Sequence, residues 1–283
     1  MRVGFLGLGM MGTPMAMNLC RKFRLTVWNR STSKYAPLTQ AGVRIGNSPA
    51  DVVDQSDVTF VMLFDGPAID SIFNDDLKRA LRGKTLVNTS SVSVEFSKRL
   101  AQRVSEAGGD FIEMPVSGSK VPAEQGRLVG MMAGNAEVAE RIRPVVEPIT
   151  SAAVYCGPIG AGLKTKYAAN LYLITMTAGL AESMSLAKAQ GLDLESFGEV
   201  LNAGQMASSY SKLKIAKMLN QDWSPQAAIN DCYNSTQLIH AAAKGEDVRA
   251  PLIELCGSLY KEAKDSGLGG EDMIAVAKVL SKK

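Results

Sequence analysis

Short apolar runs alternate with helical patterns through the first half of the chain. Val3–Leu6, Leu25–Trp28, Val58–Leu63, Leu86–Asn88 and Phe111–Glu113 have the length and composition of buried strands. Amphipathic stretches such as Pro14–Lys22 and Val94–Glu106 lie between them. This alternation predicts a parallel sheet covered on both faces by helices. Leu128–Ala133 and Ala153–Tyr155 extend that sheet. Beyond Gly162 the strand pattern stops. Helical periodicity continues through Lys166–Ala189, Leu194–Asn202, Tyr210–Leu219, Ile229–Ala243 and Pro251–Asp265, with a last helix near Asp272–Leu280. Gly, Asp, Ser and Pro separate these stretches, as helix ends require. The expected class is α/β: a doubly wound parallel sheet over residues 1–161, then an all-helical C-terminal domain over residues 162–283.

Gly7-Leu8-Gly9-Met10-Met11-Gly12 fits G-x-G-x-x-G between the first strand and the first helix, which is the context that gives the motif meaning. Glycines there permit a tight turn and a close approach to a pyrophosphate, and the helix N-terminus offers free N–H groups and a favourable dipole. The N-terminal domain is therefore expected to be Rossmann-type. After the second strand, the position where NAD-binding chains place an acid carries Asn29, followed by Arg30, Ser31 and Thr32. A carboxylate repels a 2′-phosphate and a guanidinium pairs with it, so this segment predicts NADP (NADPH). Leu63 ends one strand, Phe64 and Asp65 follow it, and Ser91 follows another. Ligands lie beyond the carboxyl ends of strands in such sheets, so these residues are candidates to line the cofactor. Plain turn chemistry explains the Asp-Gly-Pro and Thr-Ser-Ser sequences equally well.

Composition narrows the chemistry. Of 283 residues, 46% are hydrophobic and 21% charged, a globular balance, and the net charge of +3 comes with no basic run. Neither nucleic acid nor a membrane surface is expected as a partner. Cys20, Cys156, Cys232 and Cys256 are too far apart for a zinc site or a disulfide framework, which points to a reducing, cytoplasmic setting. No signal-peptide pattern opens the chain. The most apolar stretch, Tyr167 to Ala187, contains Asn170 and Glu182 and reads as a buried helix rather than a membrane span. His240 is the single histidine, so no His–Asp relay and no multi-histidine metal site is available, and no metal is expected. Lysine becomes the leading candidate for proton transfer.

Lys166 and Asn170 are four residues apart and share one helix face at the predicted domain boundary. A helix N-terminus and partial burial both disfavour a charged lysine, which suits proton transfer near neutral pH. Lys164 is close by, and the residues alone do not choose between the two. Ser117-Gly118-Ser119 follows a strand, and its hydroxyls and N–H groups suit either a carboxylate site or a simple turn.

The chain resembles the β-hydroxyacid dehydrogenases. The resemblance rests on Val3–Gly12, on Trp28-Asn29-Arg30, on Pro115-Val116-Ser117-Gly118-Ser119-Lys120, and on Gly157–Asn170. The Ser-Gly-Ser-Lys form, followed by Pro122-Ala123-Glu124, is similar to the glyoxylate/succinic semialdehyde reductase branch. The resemblance implies that Lys166 is the general acid/base with Asn170 beside it. It also implies that Ser117, Gly118, Ser119 and Ser91 bind the substrate, and that the protein is a homodimer or homotetramer acting on a small carbonyl or hydroxy acid. This sequence departs from the pattern at Ala169, which replaces the first asparagine of an Asn-Asn pair. It departs again at Asn234 and Ser235, where the family carries Lys-Asp, and at Pro225–Ala228, where the branch carries a phenylalanine. Asn234 and Ser235 then join the substrate-binding candidates, and the departures leave the substrate open. Two other readings are a non-catalytic dinucleotide-binding interaction module and an imine-type reductase.

Overall fold

A computed structural model describes residues 1–280. They fall into two compact units, Met1–Lys166 and the remainder from Tyr167 onward.

The first unit is built on one nine-stranded sheet. Its strands are β1 (Arg2–Leu6), β2 (Arg24–Trp28), β3 (Arg44–Ile45), β4 (Val58–Val61), β5 (Thr85–Asn88), β6 (Asp110–Glu113), β7 (Val116–Ser117), β8 (Leu128–Gly134) and β9 (Thr150–Gly157). The order is β3-β2-β1-β4-β5-β6-β8-β7, with β9 beside β8. From β3 to β6 every pairing is parallel. The central strands are buried along their whole length, as helices on both faces demand. Phe5 of β1 stacks on Phe60 of β4 with ring centroids 6.0 Å apart. Met15, Ala16 and Leu19 of helix Gly12–Cys20 and Val138, Ile142 and Val145 of helix Ala136–Val146 complete this core. Strand order reverses at β1, so the loop after β1 stands at the topological switch point.

The sheet is not wholly parallel. β8 runs antiparallel to β6 and β7. The chain leaves β7 through Gly118 and the short helix Lys120–Glu124, which lacks the length of a crossover helix and turns it straight back. Gly118 takes φ +129, a conformation that glycine adopts without strain.

Helix Ala161–Ala189 runs from the first unit into the second. It starts ahead of the Lys166 that periodicity indicates. It is also less buried than its composition predicts: Leu163, Tyr167, Ile174, Ala178, Ala181 and Met184 form a buried stripe, while Tyr172 and Leu186 are 70% and 60% exposed. No helix among the described residues is long and apolar enough to cross a membrane.

The second unit continues with helices Leu194–Ala203, Ser209–Leu219, Ile229–Gly245 and Pro251–Ala263. Its described residues contain no named strand. The last predicted helix is divided into a 3-10 turn, Met273–Val276, and the short helix Ala277–Leu280. The cap explains the tight turn: the side chain of Asp272 accepts the Ile274 N–H. Asp272 also accepts the Gln226 N–H and pairs with Lys214 at 2.6 Å, both side chains being fully buried. Burial pushes the Lys214 ammonium below its ordinary range and Asp272 opposes that shift.

Candidate functional site

The three glycines of the first loop have three different surroundings. Gly7 takes φ +101, and a Cβ there would strike the carbonyl of Met62. A Cβ on Gly12 would strike the Gly7 carbonyl, so the helix begins flush against the turn. A Cβ on Gly9 would meet nothing within 4 Å. Gly7 and Gly12 are thus required by packing, whereas Gly9 faces open space. That is the distribution a dinucleotide demands: a tight turn, a bare backbone where the pyrophosphate approaches, and close helix–strand contact. The residues fit a dinucleotide. A groove of about 510 Å³ opens beside the loop and joins Gly9, Met10 and Thr13 to Ser33, Lys34 and Lys120. Met10 is 40% exposed there, while Met11 is half-buried and its carbonyl accepts the Met15 N–H inside the helix.

Asn29 builds the loop. Its Oδ1 accepts the Leu8 N–H at 2.8 Å, and its Nδ2 donates to the Ser31 carbonyl at 2.9 Å. Tyr35 clamps it from the other side: its hydroxyl accepts the Asn29 N–H at 2.9 Å and donates to the Asn29 carbonyl at 2.7 Å. Arg30 is exposed and has no hydrogen bond or ion pair with any described residue. Ser31 and Thr32 follow at the mouth of a 3-10 turn, with the Ser31 and Ser33 hydroxyls 2.9 Å apart.

Beyond β4, Leu63 N donates to the Ser90 hydroxyl at 2.9 Å, which ties the two strand ends together. Phe64 is 66% exposed. Asp65 uses its carboxylate as the N-cap of helix Gly66–Ile72, accepting the Ala68 N–H at 2.8 Å. Thr89 donates to the Val61 carbonyl, leaving Ser91 as the hydroxyl of that loop without a partner among the described residues. Ser117 is half-buried and its hydroxyl is also unpartnered among them; Ser119 precedes the short helix without capping it.

The two lysines that sequence left equal are separated by burial. Lys164 is exposed and Lys166 is 8% exposed. The early start of the helix places Lys166 in its second turn, where the macrodipole has largely faded. Burial rather than helix position is therefore what distinguishes it. Asn170 lies one turn on, and its Oδ1 is buried with no hydrogen-bond partner. Asn234 and Ser235 lie on helix Ile229–Gly245 of the second unit, half-buried and without side-chain hydrogen bonds to described residues. His240 is exposed beside Glu254.

Sequence reasoning missed Tyr35 and Glu113, and it read Ser90 as part of a cofactor-lining loop without its tie to Leu63. Glu113, at the end of β6, is fully buried and accepts the N–H groups of Gly160 and Leu163, which start the long helix.

Residues 2–157 match the family described as the NAD binding domain of 6-phosphogluconate dehydrogenase. Residues 160–280 match the NAD-binding region of NADP-dependent 3-hydroxyisobutyrate dehydrogenase. The chain is 33% identical to glyoxylate/succinic semialdehyde reductase 1 of Arabidopsis thaliana, over 99% of this chain and 98% of that protein. It belongs to the β-hydroxyacid dehydrogenase family. Among solved structures, 3-hydroxyisobutyrate dehydrogenase of Salmonella typhimurium shares the fold with a TM-score of 0.90 at 23% identity, covering 98% of this chain and 99% of that one. Psf3 in complex with NADP+ and 2-OPP gives a TM-score of 0.90 at 26% identity, covering 99% and 100%. This β-hydroxyacid dehydrogenase is accordingly an oxidoreductase that uses a nicotinamide dinucleotide.

Proposed function

We propose that this β-hydroxyacid dehydrogenase transfers a hydride between NADPH and a small carbonyl acid, with Lys166 as general acid in reduction and general base in the reverse direction. The observation that carries the reading is the burial of Lys166, beside an exposed Lys164, on a chain whose glycine loop is open at Gly9. Burial holds the Lys166 side chain in one place away from bulk water, which suits a group that must meet a reacting oxygen.

The dinucleotide supplies the hydride at C4 of its reduced nicotinamide. The loop of Gly7, Gly9, Met10, Met11 and Gly12 holds the pyrophosphate, and Leu63, Phe64, Asp65 and Ser91 line the cofactor. Asn29 shapes the loop, while Arg30, Ser31 and Thr32 take the 2′-phosphate, supported by an Arg30 that has no competing partner among the described residues. The NADP+ in the Psf3 structure supports the same choice. Ser117, Gly118, Ser119 and Ser91 receive the substrate's acid group through hydroxyls and N–H groups. Lys166 Nζ gives its proton to the forming alkoxide and Asn170, with an unpartnered Oδ1, orients that nitrogen or the substrate. Asn234 and Ser235 are the second unit's substrate-binding residues and carry less charge than the family's Lys-Asp pair. The exposed Tyr172, Leu186, Val200 and Met206 support self-association as a dimer or tetramer, and four free thiols suit the cytoplasm.

Turnover of a panel of small aldehyde acids and hydroxy acids, followed by nicotinamide absorbance, tests the proposal. The expected result is NADPH-dependent reduction that is lost in Lys166→Ala.

A further inference from the structure

Glu113 closes β6 and is wholly buried. Its two carboxylate oxygens take three donors. Oε1 accepts the Leu163 N–H at 2.8 Å; Oε2 accepts the Gly160 N–H at 3.1 Å and the Ser97 hydroxyl at 2.5 Å. Gly160 and Leu163 flank the first turn of helix Ala161–Ala189, as its N-cap and third residues. A helix that caps itself satisfies these same two N–H groups reciprocally, through an N-cap hydroxyl and a side chain at the third position. Gly160 and Leu163 have no acceptor side chain, so one carboxylate from the sheet replaces both halves of that device.

The surroundings are shaped to bring helix and carboxylate together. Gly160 takes φ +100. A Cβ on Gly162 would strike the Met131 carbonyl and stand 3.0 Å from Glu113 Oε1. If capping were all that was required, a serine or asparagine next to the helix would supply it without desolvating a carboxylate. A buried carboxylate instead fixes the helix to one point on the sheet, because releasing its donors leaves its oxygens buried without partners. Lys166 lies three residues beyond Leu163, in the turn that follows the one Glu113 pins, so a shift of the helix start carries it along.

We propose that Glu113 is a positioning residue for the proton donor: by holding the Gly160 and Leu163 N–H groups at the carboxyl end of β6, it sets where Lys166 stands over the sheet. This rests on Lys166 being the donor, as proposed above. The test measures kcat, NADPH affinity and thermal unfolding for Glu113→Gln, alone and combined with Lys166→Ala. The amide keeps one acceptor but turns an NH2 toward donors, so the helix start must shift. A displacement of about 1 Å is expected to lower kcat by at least about tenfold. NADPH affinity should stay within about twofold, and in the Lys166→Ala background the same change should alter the residual kcat by less than about twofold. Ser97→Ala provides a milder variant that folds if Glu113→Gln does not. It frees Oε2 from its hydroxyl and is expected to lower kcat about two- to fivefold, again only where Lys166 is present. A Glu113→Gln or Ser97→Ala protein that melts earlier yet turns over at the full rate overturns the proposal, since the cap is then structural alone. Equal losses with and without Lys166 overturn it too. A fully active Lys166→Ala removes the donor assignment and this proposal together, whereas a slow Lys166→Ala beside a fast Glu113→Gln removes only the latter.

Discussion

The Asn29 side-chain carbonyl accepts the Leu8 N–H at 2.8 Å, so the residue that stands where NAD-binding chains place an acid is engaged in building the glycine loop. The neighbouring Arg30 is exposed and has no partner among the described residues. A charge-assisted hydrogen bond contributes about 1.5–3 kcal/mol, so Arg30→Ala is expected to weaken NADPH by that amount and to leave NADH unchanged. Fluorescence titration of both cofactors against both proteins checks this. Equal affinity of the native protein for NADPH and NADH contradicts it.

The contrast among the loop glycines gives a second prediction. Gly9 faces open space, so Gly9→Ala should change the unfolding free energy by less than about 0.5 kcal/mol. It should nonetheless weaken NADPH by at least about tenfold, about 1.4 kcal/mol, because the methyl group occupies the pyrophosphate approach. Gly7→Ala should do the reverse first, destabilising the fold by about 1–3 kcal/mol through its φ of +101 and its clash with Met62. Urea unfolding with and without NADPH separates the two effects.

The fold was legible wherever it is written in local periodicity. β1, β2, β4, β5 and β6, helix Val94–Glu106 and the helical second half all follow from apolar spacing. β3 and β7 contain two residues each, too few to show a period. The reversal of β8 is set by the length of the Lys120–Glu124 return, which composition does not reveal. The glycine loop could be read because its chemistry lies within six consecutive residues. The start of the long helix could not, because its cap is Glu113, 47 and 50 residues away from the N–H groups it accepts. The tie from Ser90 to Leu63 escaped for the same reason, the two being 27 residues apart, whereas Tyr35 is six residues from Asn29 and escaped because a hydroxyl that braces a neighbouring loop carries no local signature.

The Lys214–Asp272 pair makes a stability prediction for the second unit. Asp272 also accepts the N–H groups of Gln226 and Ile274. Asp272→Asn leaves a buried ammonium without its counter-charge and is expected to cost about 3–5 kcal/mol. Lys214→Met removes the group that burial penalises and leaves Asp272 its two N–H donors, so it should cost less. Chemical denaturation of the full chain gives the ordering, and a larger loss for Lys214→Met contradicts it.

Substrate choice turns on Asn234 and Ser235, the proposed substrate-binding residues of the second unit. Small neutral residues there, with Ala227 in place of a ring, make fewer contacts to a compact acid. Each missing apolar group weakens discrimination by about 1–3 kcal/mol. Glyoxylate and succinic semialdehyde are therefore expected to be poor substrates beside a bulkier carbonyl acid. Asn234→Lys combined with Ser235→Asp should move preference toward the small acids. Steady-state kcat/KM over a size series checks both, and a maximum at glyoxylate or succinic semialdehyde in the native protein contradicts the reading.

The central claim is that the buried Lys166, not the exposed Lys164, moves the proton. Single-turnover reduction with bound NADPH tests it most directly in Lys166→Ala and Lys164→Ala. The account predicts a rate about two to four orders of magnitude lower for Lys166→Ala, the usual scale of general acid catalysis, and a mild change for Lys164→Ala. A Lys166→Ala protein that keeps more than about half the native rate contradicts it, because general acid catalysis by that lysine could not then contribute its usual factor.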